Sequence, residues 1–147
     1  MSTDVTTSFA ARLAAIRAAD PVIVPHVVDG QKLTDGAQIL REDPSHPGSV
    51  ASGCHDAPAE LVQRAVAVSR AAQREWARVP VAQRAEHVRR AIPYVESVLD
   101  EWTARVALEV GKTEALSRAE VLETLEFVRL YTQYVLEPGA MEEIHGV

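Results

Sequence analysis

Residues 56–80, DAPAELVQRAVAVSRAAQREWARVP, carry the pattern that decides the fold class. Leu61, Val62, Ala65, Val66, Ala72 and Trp76 recur at three- and four-residue spacing, which gathers them on one side of an α-helix. Gln63, Arg64, Arg70 and Gln73 fall on the other side. Asp56 or Ala57 is expected to cap this helix, with Pro58 in its first turn, where a missing N–H costs little. Pro80 closes it, because proline cannot continue the hydrogen-bond ladder.

Helical texture continues toward the C-terminus. A second helix starts near Val81 and is expected to bury Ala85, Val88, Ile92 and Val95, with Pro93 kinking or dividing it. A third, from about Leu99, uses Trp102, Val106 and Ala107 and stops at Gly111. The fourth runs from about Glu114 to Leu136 and ends before Pro138-Gly139.

Toward the N-terminus the texture changes twice. Met1 to Thr7 reads as a disordered tail, and from Ser8 a short helix places Phe9, Leu13 and Ile16 on one face before Asp20-Pro21 ends it. Val22-Ile23-Val24 and His26-Val27-Val28 are β-branched runs, followed by Asp29-Gly30, a strong turn signal. Lys32 to Arg41 supplies a returning strand, and Val50-Ala51-Ser52 follows a loop rich in Pro, Ser and Gly. The expected class is therefore α+β, mostly helical with an N-terminal β-hairpin. Its divisions are a tail over 1–7, a helix over 8–20, hairpin and loop over 21–53, a helical portion over 54–137 and a tail over 138–147.

Composition narrows the function. In 147 residues, hydrophobic residues reach 47% while aromatics are only 5%, so the core must rest on close packing of small side chains. A net charge of −6 argues against nucleic-acid binding, which needs clustered Lys and Arg. The single cysteine, Cys54, excludes an intramolecular disulfide framework and suits the cytoplasm. No apolar run is long enough to span a membrane.

Candidate chemistry is sparse. Cys54-His55-Asp56 holds the residue types of a nucleophile, a base and an orienting acid, but catalytic triads are assembled from separated positions. The reading favoured for Cys54 is a small residue at a strand end. Five histidines (His26, His46, His55, His87 and His145) show no metal-ligand spacing, although the loop could bring His46 toward His55. Glu120 and Glu123 share a helical face, where acids usually solvate a surface or form ion pairs such as Glu114 with Arg118. Gly111-Lys112-Thr113 looks like the end of a phosphate-binding loop, but Val106 stands where the upstream glycine belongs and the segment follows a helix. No catalytic, cofactor-binding or metal-binding residue is assigned from the residues alone.

Read in order, several motifs resemble the start of the aldehyde dehydrogenase superfamily. Val28-Asp29-Gly30 is similar to its first-hairpin motif, and Asp43-Pro44 through Ser52 resembles its NP-x-x-x-x-E-V-I-A segment. Ala65-Val66, Ala71-Ala72, Trp76, Pro80 and Arg84-Ala85 follow its first long helix, and Glu109-Val110-Gly111-Lys112 its E-x-GK element. Glu120 to Tyr131 resembles the EV-x-EA-x-DF-x-R-x-Y helix of the branch oxidising L-glutamate γ-semialdehyde, the pyrroline-5-carboxylate dehydrogenases. Pro93 and the stretch from Glu137 to Val147 depart from the family pattern.

The resemblance implies the N-terminal part of an α/β enzyme. That enzyme uses NAD or NADP and a cysteine thiolate to convert aldehydes to acids, with a glutamate-activated water releasing the product. It places the nucleotide turn, the nucleophile and the general-base glutamate outside this chain, so the chain alone is expected to bind no cofactor and to be inactive. Glu137 is implied as a residue lining the substrate entrance. The expected partners are the missing catalytic portion or a homologous subunit, with self-association through an exposed apolar face. The alternative is a stand-alone, non-enzymatic interaction module derived from the same family.

Overall fold

The computed structural model describes residues 8–137, so the tails expected over 1–7 and 138–147 lie outside the described residues. Helix α1 (Phe9–Ala18) begins where Ser8 Oγ accepts the Ala11 N–H, 3.3 Å away, and presents Phe9, Leu13 and Ile16, all half-buried. Five strands follow: β1 (Val22–Val24), β2 (His26–Val28), β3 (Gln31–Leu33), β4 (Gln38–Glu42) and β5 (Val50–His55). The rest is α2 (Ala59–Trp76), α3 (Val81–Arg89), α4 (Ala91–Ser97), α5 (Leu99–Val110) and α6 (Glu114–Tyr134). The mixed, mostly helical class expected from the sequence is the one observed.

The strands make two small sheets where one hairpin was expected. β2 and β3 close around Asp29 (φ 53°) and Gly30 (φ 72°), a two-residue turn with both φ positive, as right-twisted strands prefer. The stretch read as one returning strand, Lys32 to Arg41, breaks at Gly36 (φ 97°), where a Cβ would lie 1.7 Å from the Asp56 carbonyl oxygen. Beyond that break, β4 pairs antiparallel with β5, and β5 pairs parallel with β1, giving the order β1-β5-β4. The sheet therefore continues to His55, past the boundary at residue 53.

One further expectation is corrected and another is met. Neither Asp56 nor Ala57 caps α2: the cap position falls at Pro58, whose carbonyl accepts the Leu61 and Val62 N–H groups. The Asp56 N–H is instead committed to the Ala37 carbonyl at 2.8 Å, which ties the start of the helical portion to β4. Pro93 lies in α4, separated from α3 at Arg90, so the second helix is divided.

The core lies among α1, α3, α4, α5 and α6. Val95, Val121 and Leu125 form its centre, with Ile92, Leu99 and Val106 packed against them. Ala104 (0% exposed), Ala107 and Ala85 let the helices approach closely, as the small-residue composition requires. Val88 and Trp102, expected inside, are 46% and 37% exposed, because α3 and α5 turn Ala85 and the Thr103–Ala104–Ala107–Leu108 face inward instead.

Among the described residues one charged side chain is buried. Asp43, 1% exposed, accepts a hydrogen bond from Arg17 Nε at 2.8 Å and another from the Ser45 N–H at 2.8 Å, with His46 Nδ1 at 3.4 Å. Burial pushes its pKa up. The hydrogen bonds from Arg17 and Ser45, with the charges of Arg17 and His46, outweigh that and hold it below the ordinary value of 3.8.

Asp43→Ala should lower unfolding free energy by about 3 kcal/mol in urea titrations, since it strands Arg17 and the Ser45 N–H. The Asp43 contribution is fully present above its unfolded value of 3.8 and is lost as pH falls below that through the folded value. An acid titration of wild type against Asp43→Ala should therefore show the two stabilities converging at low pH. Ser117→Ala should raise stability by about 1 kcal/mol, because Ser117 Oγ is buried without a partner.

Candidate docking interface

The residues with catalytic potential are held apart. Cys54 and His55 are successive residues of β5 and so face opposite sides of the sheet. Cys54 is an exposed free thiol. His55 does not meet His46. It stands edge-on to His26, with ring centroids 6.2 Å apart, and its Nδ1 lies 3.3 Å from the Gly36 carbonyl. His46 is drawn to Asp43 instead. Among the described residues no group of three or more His, Cys, Asp and Glu is placed to hold a metal.

Two acids of α6, Glu120 and Glu126, are held in ion pairs. Arg118 reaches Asp100 on α5 at 2.7 Å, so the expected Glu114–Arg118 pair gives way to a bridge between helices. Glu120 pairs with Lys112. That pairing also tests Gly111-Lys112-Thr113 against a nucleotide phosphate, and the segment does not fit. Lys112 is engaged, Thr113 Oγ1 accepts the Leu116 N–H as the α6 cap, and Gly111 packs on Pro44. Glu137, at the end of the described chain, is exposed, and its N–H donates to the Tyr134 carbonyl.

What the fold does build is an open apolar surface. α2 is 18 residues long, yet Leu61 is its only buried residue. Val62 and Val66 are 49% and 47% exposed, although they lie on the face that periodicity assigns to a core. Between α2 and the β2–β3 hairpin lies a shallow groove of 530 Å³, walled by His26, Val28, Leu61, Ala65 and Ser69. A single side-chain hydrogen bond, Arg64 Nη2 to Gln31 Oε1 at 2.8 Å, spans from α2 to the hairpin. The outer side of α6 adds Phe127 stacked on Tyr131, with ring centroids 5.8 Å apart, and Leu130, 57% exposed. Contiguous apolar surface that a fold leaves open is a common site of association.

Sequence reasoning missed Asp43 as a structural centre. Its signal was the Asp-Pro-Ser start of a loop, since an Asp side chain commonly accepts the N–H two residues on. The segments that carried the resemblance also meet in space: Arg41 donates to the Glu109 carbonyl and pairs with its carboxylate at 3.3 Å, beside the Gly111–Pro44 contact.

Comparison with known proteins agrees with this arrangement. The profile of the aldehyde dehydrogenase family matches residues 33–145. A 1-pyrroline-5-carboxylate dehydrogenase from Geobacillus sp. (strain WCH70) is 25% identical over 113 residues, covering 77% of this chain and 22% of that protein. Proline utilization A from Bdellovibrio bacteriovorus superposes with a TM-score of 0.81 at 27% identity, over 86% of this chain and 13% of that one. The 1-pyrroline-5-carboxylate dehydrogenase from Thermus, solved with bound NAD, shares the fold with a TM-score of 0.82 at 19% identity, over 92% of this chain and 28% of its own. The chain thus spans about a fifth of the length of the curated relatives it matches.

Substitution on the open face should leave the folded chain nearly unaffected. Val66→Glu should change unfolding free energy by no more than about 0.5 kcal/mol. Leu125→Ala, in the core at 2% exposure, should cost about 3 kcal/mol. Chemical denaturation of the two variants checks the contrast.

Proposed function

This chain belongs to the aldehyde dehydrogenase family, and we propose that it is the N-terminal structural portion of an NAD(P)-dependent enzyme converting an aldehyde to a carboxylic acid. The observation that carries the reading is α2, an amphipathic helix whose apolar face is left mostly open within the described residues, with Leu61 buried but Val62 and Val66 about half exposed. A helix of this length is stabilised in water mainly by burying such a face. The face is thus made to pack on the remainder of the enzyme or on a homologous subunit. The similarity to 1-pyrroline-5-carboxylate dehydrogenases supports L-glutamate γ-semialdehyde as the substrate of the complete enzyme and NAD as its cofactor.

In this reading the chain alone performs no oxidation. Covalent aldehyde chemistry needs an activated thiolate beside a preorganised oxyanion site, and Cys54 sits on a strand with its neighbouring histidine turned to the other face. Glu137, at the end of the described chain beyond α6, would border the substrate entrance of the complete enzyme, consistent with its exposure. The second reading, a stand-alone interaction module, draws on the same open face. It differs in what covers that face.

The purified chain, incubated with NAD+ or NADP+ and L-glutamate γ-semialdehyde, should produce no absorbance at the reduced-nicotinamide band. Any turnover above the no-protein control would overturn the assignment of inactivity. In light scattering the chain should shift from monomer to dimer or larger as concentration rises, and Val62→Glu/Val66→Glu should hold it monomeric. A wild-type chain that stays monomeric throughout would count against the open face as an association surface.

A further inference from the structure

Two exposed charges stay unanswered on helices that leave apolar surface open. On α2, Arg70 pairs with no carboxylate among the described residues, and it follows Val62 and Val66 at four-residue spacing. On α6, Glu120 pairs with Lys112 and Glu126 with Arg129, whereas Glu123 has no cationic partner among the described residues. Glu123 precedes Phe127 and Tyr131 at the same spacing. Residues four apart stand one above another on a helix, so each helix carries a row of two apolar side chains ended by one charge. All six side chains are exposed. The two charges are opposite in sign, and the order is reversed: the apolar pair precedes Arg70 on α2 and follows Glu123 on α6.

We infer that α2 of one copy of this chain docks antiparallel on α6 of a second copy. In that arrangement Arg70 meets Glu123, Val66 meets Phe127 and Val62 meets Tyr131. Both rows run about 12 Å from end to end at the helical rise per residue, so the three pairs form together. A parallel pairing of the same helices sets Arg70 against Tyr131 instead. A pairing of α2 with another α2 offers Arg70 no carboxylate on the row. The net charge of −6 does not oppose the contact locally, because α2 carries three arginines against two glutamates while α6 carries four glutamates against two arginines. Repulsion between two net-negative copies is screened beyond about 8 Å at physiological ionic strength, and the paired side chains act inside that distance. The inference rests on the reading of α2 as an association face and assigns what covers it.

The test is sedimentation equilibrium of the full chain up to about 1 mM, a range suited to the small area that one helix pair buries. Arg70→Glu and Glu123→Arg should each weaken self-association about tenfold with unchanged circular dichroism spectra, since both side chains are exposed. An equimolar mixture of the two variants should regain wild-type association, because each supplies the charge that the other lacks. The chain carrying both substitutions should regain it as well. Weakening by Arg70→Glu without weakening by Glu123→Arg, or a mixture that stays monomeric, overturns α6 as the partner and leaves α2 an association face. A wild-type chain that stays monomeric throughout overturns the inference and that reading of α2 together, with the family membership untouched. Should Glu123→Arg fail to fold, Phe127→Glu on the same row takes its place. It should weaken association as Val66→Glu does, and wild-type association in that variant would overturn the site.

Discussion

A carboxylate that is 1% exposed survives in a folded protein only if its charge is answered from within, and at Asp43 the answer organises the N-terminal half. Arg17 comes from α1, the Ser45 N–H from the loop that Asp43 itself begins, and the Asp43 N–H closes that loop on the Ser49 carbonyl. The loop is thereby shaped so that Pro44 meets Gly111 at the end of α5, while Arg41 reaches Glu109 two residues earlier. Helix α1 is held to the same place from its other side, where Arg12 pairs with Glu101 of α5. Strand β4, the loop, α1 and α5 are thus joined around one charge.

Packing beyond that point is uneven. The faces of α5 and α6 close on each other with alanines, threonine and serine at near-zero exposure, and α3 joins them through Ala85 and the Arg89–Thr132 hydrogen bond. Helix α2 and the β2–β3 hairpin share no such closure, and the groove between them stays open. Such a division is expected where one part of a fold rests on itself and another rests on something else. It accords with a chain that covers about a fifth of its dehydrogenase relatives.

The sequence made some of this legible and hid the rest for physical reasons. Element types followed from periodicity and from punctuation: Ser8, Asp29-Gly30, Pro80 and Gly111 each act locally, and each stands where the structure uses it. Sheet pairing is non-local, so the parallel union of Val22–Val24 with β5 left no mark in either segment. Gly36 could be read as a turn residue, but not as the point where the Asp56 backbone passes. Inward and outward faces were harder. The spacing of Val62, Val66, Val88 and Trp102 says that a face is apolar without saying what covers it, and in this chain those side chains stand open. Asp43 was visible as part of a family motif. Its burial was not, because the partner that makes burial tolerable lies 26 residues away on α1.

The central claim is that α2 belongs to an interface completed by another part of an aldehyde dehydrogenase, while α5 and α6 belong to the chain's own core. Native-state hydrogen exchange on the dilute chain, resolved by peptide mass, tests this most directly, because protection follows the free energy of local opening. The account predicts that amides of Ala59–Trp76 exchange far faster than those of Leu99–Val110 and Glu114–Tyr134. Equal protection across α2, α5 and α6 would contradict it, since α2 would then be as fully supported within this chain as the core helices are.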